Sequence, residues 1–443
     1  MVNKLSKTFC VHPWTNLMVN SPGTYNFCCI SLGSDTSISA NVTDDDGKLV
    51  HASKDTPDKA WNAKSMRTVR RAMLDGEKLD VCSVCWKQEE IGKESYRERH
   101  NKEWIRRLGQ QEIERRVAYS LANDYAVDTP PDYLDLRLGN LCNLKCRMCN
   151  IFNSSQIEKE HIKLRQNNMY ADVWTRQWDK TDINGAPYDM NWVNYEGFWK
   201  NLKEYVPDLK KVYFTGGEPT LLETPYTFMD EMVSQGIQDK VDIMFNTNCT
   251  NVQPKWLEQL SKFRHVQING SIDGIGAMND YIRAPSNWKN IRENFIKIAK
   301  LRNVRIGISP VIQVYNILDV DKILDFAEEV SHIIGKVVDV DFLLCFNPTY
   351  LDPANLPDKI RDKAFMRLQR VQDSWIYKQS EKNGNSIKNS VDSYLTLLEQ
   401  ERHPDWKKNM KDFWNMTEIY DKSRNQSFKK SIPELYELLK YTK

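Results

Sequence analysis

No stretch of this chain is long and apolar enough to span a membrane. The opening run from Met1 to Cys10 also lacks the apolar core of a secretory leader. These two absences predict a cytoplasmic protein without a membrane anchor. Charge of one sign is missing too: 62 Lys and Arg face 60 Asp and Glu, a net of +2. No overall field therefore draws the chain to nucleic acid or acidic lipid. There is no internal repeat, no P-loop and no Ser-His-Asp signature, so solenoid architecture, P-loop phosphate chemistry and serine hydrolysis find no support. What is present is a 443-residue chain, 40% hydrophobic and 28% charged, the composition of a soluble globular protein with about three domains. Its 13 Trp and 19 Tyr are expected mostly in cores and domain contacts. Ten cysteines without an export signal point to a reducing compartment and to metal ligation rather than disulfides.

Three of those cysteines carry the most information. Cys142, Cys146 and Cys149 form C-x3-C-x2-C within Leu-Gly-Asn-Leu-Cys-Asn-Leu-Lys-Cys-Arg-Met-Cys-Asn. Three thiolates so close in sequence can converge on one cluster. An iron–sulfur cube takes four cysteines, so three leave one iron open for chemistry. Just upstream, Tyr133 to Leu138 alternates apolar and polar like a strand. The cysteines then occupy a loop after a strand, where α/β sheets and barrels place active sites. A structural zinc knuckle is the alternative, and it would want a fourth ligand nearby.

The spacing and setting resemble the radical S-adenosylmethionine (SAM) superfamily. The resemblance implies a [4Fe–4S] cluster on Cys142, Cys146 and Cys149, its open iron chelated by the amino and carboxylate groups of SAM. It implies reductive cleavage of SAM to methionine and a 5′-deoxyadenosyl radical that abstracts a substrate hydrogen.

A second cysteine set lies upstream: Cys10, then Gly23, then Cys28-Cys29, in the spacing C-x12-G-x4-C, and later Cys82-Ser-Val-Cys85. A hairpin turning at Gly23 brings Cys10 beside Cys28, and the C-x2-C pair can clasp one metal from a single turn. Together they make a closed four-ligand site. The pattern is similar to a twitch domain, the shortened SPASM domain, here N-terminal to the radical SAM core. That resemblance implies an auxiliary [4Fe–4S] cluster on Cys10, Cys28, Cys82 and Cys85, for electron relay or structure. Four-cysteine zinc is the alternative, and Cys29 competes with Cys28 as ligand. His12 reads as a loop residue.

From Tyr133 onward, strand-like stretches at 133–138, 211–215, 241–246, 266–272, 305–311 and 337–344 alternate with helical ones such as 225–235, 256–263, 288–301 and 320–330. Six βα repeats predict an α/β fold, a partial (β/α)6 barrel of TIM type with parallel strands. A doubly wound sheet is the alternative from periodicity alone. The expected layout is an N-terminal cysteine-rich β-hairpin domain over 1–90, a helical linker over 91–128, the core over 129–350 with an aromatic-rich insertion at 151–205, and a helical extension over 351–443.

The strand ends carry further motifs. Phe-Thr-Gly-Gly-Glu-Pro ends the second strand; its glycines allow close backbone approach to a ligand, and Glu218 adds a carboxylate suited to an ammonium group. By resemblance, Gly216, Gly217 and Glu218 bind the SAM amino group. Asn248 ends the third strand in Asn-Thr-Asn-Cys, where the family has Gly in place of Cys249. Ser271 and Asp273 follow the fourth strand and resemble contacts to the SAM ribose and carboxylate. Arg283, in Tyr-Ile-Arg, resembles an arginine near that carboxylate, and Gln313 and Asn316 match polar positions facing SAM. Met148 replaces the family's aromatic before the third cysteine, which weakens any adenine contact there.

The insertion gathers Tyr170, Trp174, Trp178, Tyr188, Trp192, Tyr195 and Trp199, either a lid over the barrel mouth or plain packing. Residues 86–122, with Arg97, Arg99, Arg106, Arg107, Arg115 and Arg116 among glutamates, read as solvated helices with internal pairs. The substrate expected from the resemblance is a peptide or protein, with a small molecule or nucleotide as the alternative. A non-catalytic iron–sulfur scaffold is a third reading. The expected electron donor is a flavodoxin or ferredoxin.

Overall fold

Five-residue and longer strands with branched side chains on one face build the centre of the molecule. The computed structural model describes residues 5–31, 40–90, 94–169, 189–384 and 386–443. Its strands are β1 (Asn16–Val19), β2 (Tyr25–Asn26), β3 (Tyr133–Leu138), β4 (Lys211–Gly216), β5 (Asp242–Thr247), β6 (His265–Gly270), β7 (Val304–Ile308), β8 (Val311–Ile312), β9 (Asp339–Val340) and β10 (Leu343–Leu344). Eight of them form one sheet in the order β2-β1-β3-β4-β5-β6-β7-β9. From β3 to β9 the pairing is parallel and the order follows the chain, as a partial (β/α)6 barrel requires. Helices over Thr224–Ser234, Pro254–Ser261, Trp288–Ala299 and Val320–Ile334 connect the strands.

Register sorts the two faces. Leu134 pairs with Val212, which pairs with Ile243, then Val266 and Val304. These five are buried and face the outer helices. The alternate row runs through Asp135, Tyr213, Met244, Gln267 and Arg305, so the concave face is polar. This is the period-two alternation of a strand used to build an inside and an outside.

Two expectations change. The last predicted strand, over 337–344, is broken into β9 and β10, and β10 leaves the main sheet to pair with β8. The N-terminal hairpin does turn at Gly23, which has φ +88°, but it is no detached unit. β1 pairs in parallel with β3, from Asn16–Tyr133 to Val19–Leu136, and so extends the barrel sheet at its edge.

The helices Tyr96–Leu108 and Gln110–Ala122 also differ from the solvated pair expected. Ser95 opens the first with a capping box, its hydroxyl accepting from the Glu98 amide at 3.1 Å. Arg97 and Arg116 are buried. Arg116 pairs with buried Asp132; a charge taken out of solvent needs such a partner. Arg115 stays exposed on Glu112 and Asp128. The C-terminal region is helical, its longest helix spanning Trp406–Arg424. Among the described residues no helix is long and apolar enough to cross a membrane.

Candidate active site and metal centres

The loop after β3 carries Cys142, Cys146 and Cys149, and they come together. Cys142 and Cys146 are buried with Leu144, and Met148 and Cys149 pack against them. Burial pushes the Cys142 thiol up to about 12, with the charge of Cys146 adding to the rise. Donors are already aimed at the sulfurs. The Leu144 amide lies 3.4 Å from Cys142 Sγ, Arg283 Nη1 3.7 Å from Cys146 Sγ, and Asn248 Nδ2 4.0 Å from Cys142 Sγ. N–H donors around thiolates fit an anionic sulfur cluster, whose charge they offset.

The Gly-Gly-Glu end of β4 meets this loop directly. The Glu218 amide donates to Leu141 O at 2.7 Å and the Gly217 amide to Gly139 O at 3.1 Å. A Cβ on Gly217 would collide with the Leu141 carbonyl, and Gly216 holds φ +117°. The close approach these glycines permit is thus to the cysteine loop's backbone. Buried Glu218 ties β4 to β5, accepting from the Asn248 amide at 2.7 Å, Thr247 Oγ1 at 2.8 Å and Thr220 Oγ1 at 2.6 Å. Burial raises its pKa, opposed by those hydrogen bonds. Asn248 reaches back to Asn143 Oδ1 at 2.9 Å, which links the third strand end to the cysteine loop.

Asp273 and Arg283 form a buried ion pair of 2.7 Å, and Asp273 also accepts from the Val311 amide at 2.8 Å. Arg283 thereby stands between that carboxylate and Cys146. Asn316 holds the turn after β8, donating to Asp273 O and Val311 O, each at 2.9 Å, and accepting from the Gln313 amide at 2.8 Å. Gln313 is fully buried with Oε1 unpartnered. Ser271 is half-buried, its amide on Thr247 O at 2.8 Å. Cys249 sits fully buried at φ +60°. Its conformation is the one a glycine would adopt freely, and its Sγ lies on the Thr247 carbonyl at 3.7 Å.

Sequence reasoning missed the anchor of the loop. Arg147, between the second and third cysteines, is 1% exposed and bonds to Asp421 at 2.6 Å and Gln426 at 3.0 Å. Its guanidinium stacks 3.6 Å from the Tyr281 ring centroid. Beside it, Arg424 pairs with buried Glu160 at 2.6 Å, and Lys145 reaches the same carboxylate at 3.3 Å. The helix Trp406–Arg424 therefore grips the cysteine loop. A buried Arg flanked by two cysteines has no local signal to reveal a partner 274 residues on.

The second cysteine set also assembles. Cys10, Cys28, Cys82 and Cys85 line one cavity with His12, Tyr96 and Arg97. Cys29 does not line it; its thiol lies near Cys28, Tyr96, Asp135 and Arg137. Among the described residues no three Cys, His, Asp or Glu side chains gather closely enough for a single ion. The four thiols surround a space instead of meeting at a point. His12 is no loop residue: it opens a short helix, is 1% exposed, and has both ring nitrogens unpartnered. A buried imidazole without partners beside four thiols suits a cavity that takes an anionic sulfur-rich group.

Of the insertion, Tyr170, Trp174, Trp178 and Tyr188 lie outside the described residues. Trp192 is buried against the N-terminal hairpin, donating to Ser21 O at 3.0 Å, and Trp199 packs on Phe198 and Phe228. Tyr195 is exposed.

Residues 136–327 match the family described as the radical SAM superfamily. This part of the chain is a radical SAM domain. The match runs from β3 into the helix before β9 and includes the three-cysteine loop, the Gly-Gly-Glu strand end, Asn248, Asp273 and Arg283. No curated protein matches the chain. Among solved structures it is similar to anSMEcpe with bound AdoMet, at 20% identity over 56% of this chain and 60% of that one, with a TM-score of 0.34. It is also similar to Streptococcus suis SuiB bound to precursor peptide SuiA, at 13% identity over 69% and 60%, with a TM-score of 0.36. The chain spans about 60% of the length of these structures.

Proposed function

We propose that this protein is a radical SAM enzyme that cleaves SAM reductively and abstracts hydrogen from a peptide or protein. The observation that carries the reading is the three-thiol loop buried at the end of β3 with N–H donors on its sulfurs. Cys142, Cys146 and Cys149 would hold a [4Fe–4S] cluster, with Gly216, Gly217, Glu218, Asn248, Ser271, Asp273, Arg283, Gln313 and Asn316 around SAM. When bound, that cluster supplies the electron that splits the sulfonium of SAM to a 5′-deoxyadenosyl radical.

The chain's own part is orientation and exclusion of water. Arg283 sits where it can serve both Cys146 and a carboxylate. The Glu218 bonds fix the ends of β4 and β5 against the loop. Cys10, Cys28, Cys82 and Cys85 would hold an auxiliary [4Fe–4S] cluster; four thiols and an unpartnered imidazole around one cavity support it. A ferredoxin or flavodoxin in the cytoplasm would supply the electron.

The peptide reading draws on the concave face of the sheet. A cavity of about 220 Å³ there is lined by Arg99, Gln267, Asn269, Ser309 and Asp341. It offers both donors and acceptors, as a chain of amides requires, and it opens to solvent beside exposed Arg305.

The test is anaerobic reconstitution, reduction with dithionite and addition of SAM, with a Cys142/Cys146/Cys149→Ala variant alongside. About eight irons with 5′-deoxyadenosine, falling to about four without product in the variant, is the expected result. About four irons plus zinc with product retained would remove the auxiliary cluster. Two clusters without product, with peptide or without, would leave a scaffold.

A further inference from the structure

The four-thiol cavity has a charged wall that ligation does not explain. Arg97 lines it beside Cys10, Cys28, Cys82 and Cys85, and it is 8% exposed. Its guanidinium is fixed on every side. Nη1 donates to Phe9 O at 2.7 Å, while Nε and Nη2 donate to Glu89 at 3.0 and 2.8 Å. Trp86 lies under it at 5.1 Å. Glu89 is held in turn by the Ser95 hydroxyl at 2.6 Å. Neither group is free to swing away.

The two charges act on the thiols in opposite senses. Arg97 brings a positive charge to the cavity wall that the four cysteines share. Glu89, paired at two points with that guanidinium, sets the opposite charge directly beside it. A cube held by four thiolates is an anion, and reduction adds one more negative charge. In a buried site, nearby fixed charge then tunes the ease of that reduction, alongside hydrogen bonds to sulfur.

We propose that Arg97 and Glu89 form a fixed charge couple that sets the reduction potential of a cluster on Cys10, Cys28, Cys82 and Cys85. Arg97 favours the reduced cluster and Glu89 opposes it. Neither residue is a ligand; both act through the field at the sulfurs. The inference rests on the auxiliary-cluster reading above.

The test uses the full chain with Cys142/Cys146/Cys149→Ala, so that only the second centre remains. Iron content is measured first, then the midpoint potential by redox titration followed by EPR. Arg97→Gln is expected to lower the reduction equilibrium constant about tenfold, 59 mV for one electron. Arg97→Lys keeps most of the parent's potential. Glu89→Gln is expected to raise the potential. Local damage to the fold would lose iron or move both variants the same way, so opposite shifts at about four irons identify the couple. Unchanged potentials in both variants with iron retained, or shifts of one sign, would overturn it. Zinc, or no iron, in the parent variant would overturn the cluster reading and this inference with it.

Discussion

Removing the side chain of Arg147 tests whether the C-terminal helices hold the cysteine loop. In Arg147→Ala, Asp421 loses an ion pair of 2.6 Å and the Tyr281 ring loses a cation at 3.6 Å. Breaking a buried pair costs about 3–5 kcal/mol, chiefly by stranding the remaining charge, and a desolvated cation–π contact adds about 2 kcal/mol at most. Two features place the result at the lower end. Asp421 is 19% exposed, and its carboxylate keeps the Tyr281 hydroxyl at 2.8 Å and the Phe428 amide at 2.7 Å. The expected loss is about 3 kcal/mol. The loop also keeps its backbone bonds from Lys145 to Ala284 and from Arg147 to Ile282, so the protein still folds. The assay is the urea midpoint of the Arg147→Ala, Asp421→Asn and double variants, with iron bound by Cys142, Cys146 and Cys149 measured in each. A coupling energy above about 1 kcal/mol between the two sites, with iron lost from the single variants, is the expected result. Wild-type midpoints and full iron in both single variants would refute the clamp.

Gly217→Ala is expected to lose the iron of the three-cysteine loop while the rest of the chain stays folded, since its Cβ would strike the Leu141 carbonyl; metal analysis and circular dichroism check both halves. Cys249→Gly is expected to keep 5′-deoxyadenosine production with stability changed by less than about 1 kcal/mol, because relief at φ +60° offsets the lost sulfur packing. Cys249→Val, branched at that φ, is expected to unfold at clearly lower urea. Burial alone would raise the Glu160 pKa, but its hydrogen bonds and the charge of Arg424 outweigh this and hold it below the ordinary range. Its contribution is thus present above the unfolded carboxylate pKa of about 4.3 and lost as pH falls through the folded value. The urea midpoint of Glu160→Gln should accordingly lie well below wild type at pH 7 and approach it near pH 3.

Local pattern made much of the barrel legible. The predicted span 133–138 is β3 to the residue, and 288–301 and 320–330 hold helices over Trp288–Ala299 and Val320–Ile334. Each of those segments declares its buried face within its own period. The three-cysteine loop was legible because its cysteines are neighbours in sequence. What escaped depends on distant pairing. Nothing near Asn16 announces that it will lie beside Tyr133. Arg97 and Arg116 look like any surface arginines until Glu89 and Asp132 are placed beside them. The glycines of the Gly-Gly-Glu end suggested a ligand, but sequence offered no way to see that the nearer neighbour is the cysteine loop itself.

The parallel pairing of β1 with β3 has a mechanical meaning. Cys10 and Cys28 flank the hairpin of β1 and β2, and Cys142 follows β3 by four residues. Cys10, Cys28 and Cys142 thus flank neighbouring strands of one hydrogen-bonded sheet. Their separation is a dimension of the sheet, like the spacing of teeth on a gear. Shifting β1 by one residue would flip Asn16 and Met18 to the opposite face.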